Sequence, residues 1–164
     1  MPRGPHLNVV RAGLLVGLLF VSTACGGPVE VDVPDVDGED AAACAAFADA
    51  LPDTLADEER VEIEPSDAPA AAYGDPAIVV TCGVGEPEGF GPGAQCELVS
   101  GVPWYIPSEQ YDDLDADLVV TSAWHAPRVQ ILVPADARGL ESGAMARLSP
   151  LVEEHLRETG TCDL

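Results

Sequence analysis

The sequence contains no Lys, and its seven basic residues are all Arg. All 29 acidic residues follow residue 24, so this part of the chain carries 29 acids against five Arg and a formal charge of −24. Such a charge keeps a protein soluble and repels phosphate backbones and bare anionic lipid. Nucleic acid is therefore not a predicted partner. The lack of Lys also excludes the Ser-x-x-Lys motif of some acyl-transfer enzymes.

The sequence lacks metal-ligand spacing as well. No two of the five Cys are spaced as Cys-x-x-Cys, and His155, seven residues before Cys162, is the nearest His to any Cys. Residues 35–40 resemble the start of an EF-hand loop, but alignment on their Gly puts Val33 first and Cys44 twelfth. Neither side chain can serve as the carboxylate that those positions need. No metal or cofactor is predicted.

The uncharged run from Ala12 to Ala24, which ends in front of Cys25, has 13 residues. A helix that crosses a bilayer needs about 20. Arg3 and Arg11 precede an apolar core at residues 14–21, and small residues follow it. Basic, then apolar, then small is the order of a secretory signal peptide. We therefore predict that residues 1–24 are a cleaved signal peptide.

The segment Ser22-Thr23-Ala24-Cys25 resembles the lipobox of bacterial lipoproteins, in which a small residue precedes a Cys that is diacylated. The same segment also fits a plain cleavage site after Ala24, without lipid. The Cys count favours the anchor, because lipid on Cys25 leaves four Cys for two disulfides and none unpaired. Two acyl chains are sufficient for stable attachment to a membrane.

The chain after the signal peptide divides into two parts. Residues 25–40 are predicted as a lipidated Cys followed by an acidic linker, because Gly, Pro and acids dominate there and aromatics are absent. A disordered linker of about 15 residues would have a reach on the order of 20 Å. Residues 41–164 are predicted as a single extracytoplasmic globular domain, of ordinary size for one domain.

Periodicity predicts an α+β fold for this domain. Apolar residues at helical spacing predict helices at both of its ends, and β-branched or alternating runs predict strands between them. We expect a small antiparallel sheet of three to five strands with both helices on one face, a two-layer sandwich stapled by disulfides. The segments concerned are helices at 41–51 and 143–159, a further helical turn at 54–60, and strands at 77–82, 96–99, 101–106, 118–124 and 128–133.

Four Cys after the anchor allow three pairings. Cys82 ends a predicted strand and Cys96 begins one, so a bridge there would pin the Gly/Pro loop between them. Cys44 and Cys162 lie near the two ends of the domain. The interpretation that we favour is Cys82–Cys96 with Cys44–Cys162.

Two His remain after signal removal. His155 lies on the apolar stripe of the last helix, which predicts a partly buried packing residue. His125 follows Trp124 at a predicted hairpin turn and is the better candidate for exposure. Trp124, His125 and Arg128 are therefore a hypothetical contact surface for a cell-wall glycan or a partner peptide; the alternative is that the aromatics simply pack. No Ser lies in Gly-x-Ser-x-Gly, and no catalytic residue is predicted.

Several blocks resemble the actinobacterial lipoprotein family built on domain of unknown function 3515. The resemblance covers nearly all of residues 41–164 and implies an extracytoplasmic lipoprotein without implying an activity. The carrying residues are Cys44, Leu51-Pro52, Ala72-Tyr73-Gly74-Asp75-Pro76, the Ile78-to-Val84 run, Gly101-Val102-Pro103-Trp104 and Val133-Pro134.

The sequence thus favours a non-enzymatic binding module held by lipid on the extracytoplasmic face of the cell membrane. Its expected partners are the membrane, through Cys25, and an envelope protein or cell-wall component. The alternative is a small extracytoplasmic hydrolase acting on envelope material. A concave pocket that joins a His to a Ser or carboxylate would favour the enzyme.

Overall fold

The computed structural model describes Met1 and residues 26–162, so the rest of the predicted signal peptide and Cys25 lie outside the described residues. No helix in the described part is long and apolar enough to span a bilayer. The elements in chain order are β1 Val29–Glu30, α1 Gly38–Asp49, β2 Thr54–Leu55, β3 Glu58–Val61, β4 Ile63–Glu64, β5 Ala70–Tyr73, β6 Ile78–Val84, β7 Cys96–Val99, β8 Val102–Tyr105, β9 Leu118–Thr121, β10 His125–Ala126, β11 Arg128–Val133, α2 Glu141–His155 and β12 Arg157–Glu158.

Eight strands form one antiparallel sheet in the order β2-β3-β5-β6-β11-β9-β8-β7. Two short pairs lie outside it. β1 runs parallel to β4, and β10 runs antiparallel to β12. The predicted α+β class with two helices, an antiparallel sheet and disulfides is confirmed.

The predicted number of three to five strands is wrong. Residues 54–60, expected as a helical turn, form the β2–β3 hairpin, whose two-residue turn puts Ala56 and Asp57 at positive φ of 50° and 69°. Ala70–Tyr73 is an Ala-rich strand with weak intrinsic strand propensity. All four of its residues are buried in the sheet, so tertiary packing overrides that propensity.

One face of the sheet is buried beneath the helices. Alternate residues of β6 and β11 have no exposed surface, and the predicted placement of Val129, Ile131 and Val133 on one face is confirmed. The buried indole of Trp104 donates to Ser149 Oγ of α2 at 3.0 Å, which joins that helix to β8. We call this the inner face.

The opposite, outer face is half-buried. Its central side chains belong to β6 and β11 and alternate with the fully buried inner set. The N-terminal residues 30–34 lie beside this face and form with it a cleft of about 420 Å³. The outer-face residues that line this cleft include Val79, Thr81, Gln130 and Leu132.

The disulfides join Cys44 to Cys82 and Cys96 to Cys162, so the predicted pairing is wrong. The strand order gives the reason. Four inter-strand steps separate β6, which carries Cys82, from the edge strand β7, which carries Cys96. At about 4.8 Å a step this is roughly 19 Å, whereas bridged Cα atoms lie within about 7 Å. Cys82 instead lies on the inner face, with its Cα 5.3 Å from that of Cys44 in α1.

The prediction that residues 25–40 form a disordered linker is wrong for the described part of that segment. Val29 N donates to Glu62 O at 2.8 Å, and Val31 N donates to Glu64 O at 3.0 Å. α1 begins at Gly38, before the predicted domain start at residue 41. Gly and acids suggested disorder, but the apolar residues between them pair with and pack on the domain.

The sheet has two distinct ends. The turn of residues 74–77 joins β5 to β6 at one end, which we call the turn end. β6 then runs to Val84, which pairs with Arg128 at the opposite end. That end carries Phe90 and Trp124, and we call it the aromatic end. Six residue steps along β6 separate the two ends by about 20 Å.

Candidate functional site at the aromatic end

The predicted contact residues lie in the tight connection between β9 and β11. Ser122 organises this connection, because its backbone N–H donates to Val129 O and its buried Oγ accepts from Val129 N, both at 2.9 Å. The N–H of His125 donates to Ser122 O at 3.0 Å. Trp124, His125 and Arg128 are therefore held on a rigid turn at the end of the sheet.

Trp124 is half-buried between two other segments. Phe90 packs edge-on against its ring, with centroids 5.0 Å apart and planes at 70°. Gly160 lies against the same ring, so a Cβ there would stand 2.6 Å from Trp124 Cζ3. The N–H of Thr159 also donates to Trp124 O at 2.8 Å. The loop of residues 85–95 and the C-terminal segment thus meet on Trp124.

Arg128 joins the same loop from the other side. Its guanidinium Nη2 lies 3.2 Å from Glu86 Oε2, and its Nε donates to Ala123 O at 3.1 Å. The side chain of Glu86 is 61% exposed and that of Arg128 27% exposed. Trp124 and Arg128 thus both contact the loop of residues 85–95, to which Glu86 adds an acidic group.

His125 corrects the prediction, because it is 4% exposed rather than available at the surface. It pairs with Glu158 in the short β10–β12 ladder. Burial lowers the pKa of His125 below its ordinary value, while the carboxylates of Glu158 and Glu153 oppose that shift. Trp124 contacts the loop of residues 85–95 and His125 faces these carboxylates, so the two neighbours do not share one contact surface.

Three buried polar atoms at this end have no hydrogen-bond partner within the described chain. They belong to one five-residue stretch and are Thr121 Oγ1, Trp124 Nε1 and His125 Nδ1. Buried polar groups are nearly always paired, since an unpaired one costs about 1–3 kcal/mol. Of the three, only Trp124 Nε1 belongs to a partly exposed side chain, because Thr121 and His125 are buried.

Sequence reasoning missed two residues of this surface, namely Glu86 and Phe90. Phe90 is also edge-on to Tyr105, at 5.3 Å and 67°. The Tyr105 hydroxyl donates to Glu88 O at 3.2 Å, and burial, followed by Glu109, raises the pKa of this phenol. One signal was available in the sequence, because Phe90 is the single aromatic residue of a Gly/Pro loop.

The described part of the chain brings no His to a nucleophile. The buried Oγ of Ser149 is occupied by Trp104, Val99 O and Met145 O. His155 is partly buried, as predicted. Neither His lines the outer-face cleft or the cleft of about 190 Å³ beside Cys162. Within residues 26–162, no group of three His, Cys, Asp or Glu could hold a metal ion.

A family model described as "Protein of unknown function (DUF3515)" matches residues 8–161. No curated protein and no solved structure matches the chain. The family match spans nearly the whole chain and includes the Cys44–Cys82 disulfide, Cys96 and the complete aromatic end. The chain therefore belongs to the DUF3515 family of proteins of unknown function.

Proposed function

We propose that this protein is a lipid-anchored lipoprotein of the actinobacterial cell envelope, held on the extracytoplasmic face of the membrane through Cys25. The basic, apolar and small order of residues 1–24 supports export. The two disulfides use four of the five Cys, which leaves Cys25 as the odd one. A lipobox Cys without a disulfide partner is the residue that acylation requires.

On this anchor the domain acts as a non-enzymatic binding module, with its contact surface at the aromatic end. One observation carries this proposal: the partly exposed ring of Trp124, whose indole N–H has no hydrogen-bond partner in the described chain, packs edge-on against the partly exposed ring of Phe90. Aromatic rings supply contact area at low entropic cost, and an indole N–H supplies direction. Folding alone gains nothing from leaving this indole N–H unpaired.

Charge favours a protein partner with exposed Lys or Arg. Glu86 and Glu88 are exposed beside the aromatic rings, and the chain after residue 24 carries −24 overall. An acidic surface attracts basic partners and speeds their association. A cation can also lie against an aromatic ring. Anionic wall polymers would be repelled by the same charges.

The alternative of a small envelope hydrolase has less support from the geometry. His125 is buried and has Glu158 and Glu153 as its charged neighbours, with no Ser hydroxyl bonded to it in the described chain. A general base must come within hydrogen-bond reach of the proton that it removes. Neither His of the domain meets that condition with a nucleophile.

Site-specific photocrosslinking in intact cells tests the binding surface. A photoreactive side chain at Glu88, in the loop of residues 85–95, should capture one defined protein. The matched probe at Asp75, an exposed acid at the opposite, turn end of the sheet, should not. Trp124→Ala should abolish the Glu88 product, and added salt should weaken it. Capture of a wall glycan, or equal products from both probes, would contradict a protein partner at this surface.

Mass spectrometry of the N-terminal peptide tests the anchor separately. We expect a mature chain that begins at Cys25 and carries two acyl chains. Cys25→Ser should release the protein from membranes without loss of folding. A free thiol on Cys25 in the native host would contradict the anchor and leave the binding surface unaffected.

A further inference from the structure

The N-terminal segment is fixed to the domain from its fourth residue after Cys25. Two backbone hydrogen bonds align β1 with β4, from Val29 N to Glu62 O and from Val31 N to Glu64 O. Backbone bonds of this kind need no side-chain identity and place the chain in register. The segment is therefore part of the folded body.

The same segment is held a second time near Gly83. This Gly has φ of +95°, and a Cβ on it would stand 2.8 Å from Val36 Cγ1 and 3.4 Å from Pro34 Cβ. Gly is the residue that adopts this conformation and permits this close approach. Residues 29–36 are thus secured at both of their ends, near β4 and near the end of β6.

The start of the segment lies at the turn end of the sheet. Gly26 lines a cleft of about 670 Å³ together with Gly74, Asp75 and Ala77 of the β5–β6 turn. Cys25 is bonded to Gly26, and consecutive Cα atoms are about 3.8 Å apart. From Cys25 to Val29 the backbone can extend at most about 14 Å.

We infer that the bilayer surface is the partner of the turn end, so that the domain stands on its β5–β6 turn and presents its aromatic end outward. This inference rests on the proposed lipid anchor at Cys25. The length of β6 then places Phe90 and Trp124 about 20 Å farther from the membrane than Asp75. A protein partner would reach the aromatic end without competing with lipid headgroups.

The charged side chains of the turn end determine how deeply this end of the domain enters the bilayer surface. Glu59 and Asp75 are exposed there. Charged side chains are too costly to enter hydrocarbon unpaired. The turn end consequently lies at the level of the lipid headgroups and does not insert below them.

Headgroup-level quenching measures this orientation directly. The native lipidated protein is reconstituted into phosphatidylcholine vesicles that contain a spin label on the lipid headgroup. A fluorophore is introduced through an unnatural side chain, at Asp75 in one preparation and at Glu88 in another, both exposed acids. We expect quenching at Asp75 to exceed that at Glu88 at least threefold. Equal or reversed quenching would overturn the orientation.

A pair of variants tests whether the β1–β4 hydrogen bonds set the orientation. Val29→Pro with Val31→Pro removes both donors, whereas Val29→Ala with Val31→Ala retains them. The Pro pair should reduce the quenching difference between the two labels to below half, and the Ala pair should preserve it. An undiminished difference in the Pro pair would contradict the role of β1.

Flotation with vesicles separates the two proposals. A chain that does not float refutes both the lipid anchor and the orientation that depends on it. A chain that floats but shows equal quenching refutes the orientation alone. Circular dichroism of each variant establishes that its fold is retained before quenching is compared.

Discussion

The two ends of the sheet are closed in different ways. At the turn end, residues 74–77 connect two strands directly, and β1 adds backbone hydrogen bonds beside them. At the aromatic end, the loop of residues 85–95 is held by side chains, through Glu86, the Glu88 carbonyl and Phe90. Unpaired buried polar atoms occur in the stretch 121–125 of the second end.

This difference separates the requirements of folding from those of recognition. Backbone pairing closes an end of a sheet with any suitable sequence, so the turn end needs little more than Gly74, whose φ is +78°. At the aromatic end, specific side chains hold the chain in place, although a short turn would be sufficient to close the sheet. Specific side chains that reduce the local stability of the fold are typical of functional sites.

The largest effect should come from the disulfides, which serve the core and the aromatic end separately. Chain entropy gives about 4 kcal/mol for either bridge, since the sequence separations are 38 and 66. Cys44 and Cys82 are fully buried, so Cys44→Ala with Cys82→Ala also loses core packing. We expect this pair of substitutions to lower the free energy of unfolding, measured in urea, by more than Cys96→Ala with Cys162→Ala. A larger loss from the second pair would contradict the division into core and end.

Gly160→Ala should disrupt the aromatic end alone. The new Cβ would overlap the Trp124 ring, and overpacking typically costs about 1–3 kcal/mol. Unfolding free energy and the emission maximum of Trp124 should both change. Gly85→Ala is the matched control in the adjacent loop, because a Cβ there meets nothing within 4 Å. If both variants behave alike, the proposed packing of Gly160 on Trp124 is wrong.

The two Trp residues should separate stability from binding. Trp104→Phe loses a buried hydrogen bond to Ser149, worth about 1 kcal/mol, in addition to ring volume. Trp124→Phe loses an N–H that has no partner in the described chain, so its stability cost should be smaller by about that amount. Partner crosslinking from Glu88 should show the opposite order. A greater loss of crosslinking in Trp104→Phe would refute the assignment of Trp124 to the contact surface.

His125 should give the smallest effect, visible as a dependence on pH. Its folded pKa is lowered by burial, so the unfolded chain binds more protons below about pH 6.5. Its contribution to stability is therefore complete above that pH and is lost as the pH falls toward the folded pKa. Urea midpoints between pH 5 and 7.5 should decline less steeply toward acid in His125→Asn than in the native chain. A steeper acid decline in the variant would contradict the sign of this pKa shift.

Local sequence patterns correctly predicted the helices and strands whose buried residues recur at regular spacing. The alternation of Val129, Ile131 and Val133 identified β11 and its buried face, and the apolar stripe identified α2. The Ala-rich β5 escaped detection, because its burial on both faces comes from neighbours distant in the chain. A propensity argument has no access to that information.

The disulfide pairing and the composition of the site could not be predicted, because both depend on strand order, which cannot be read from the sequence. Cys82 and Cys96 are 14 positions apart, yet four strand spacings separate them in the sheet. His125 and Trp124 are adjacent in sequence but lie in different surroundings, one buried near carboxylates and the other against Phe90. Trp124 and Arg128 both contact the loop of residues 85–95, and Phe90 and Glu86 of that loop entered the site through the fold.

Hydroxyl-radical footprinting in isolated native membranes tests the central claim, that the aromatic end is a contact surface for an envelope partner. The reference is the same lipidated protein, purified and reconstituted in phosphatidylcholine vesicles. The account predicts that Phe90 and Trp124 are oxidised several-fold more slowly in native membranes, while Tyr111, exposed and distant from the loop of residues 85–95 in sequence, is unchanged. Equal oxidation of Phe90 and Trp124 in the two preparations would contradict it.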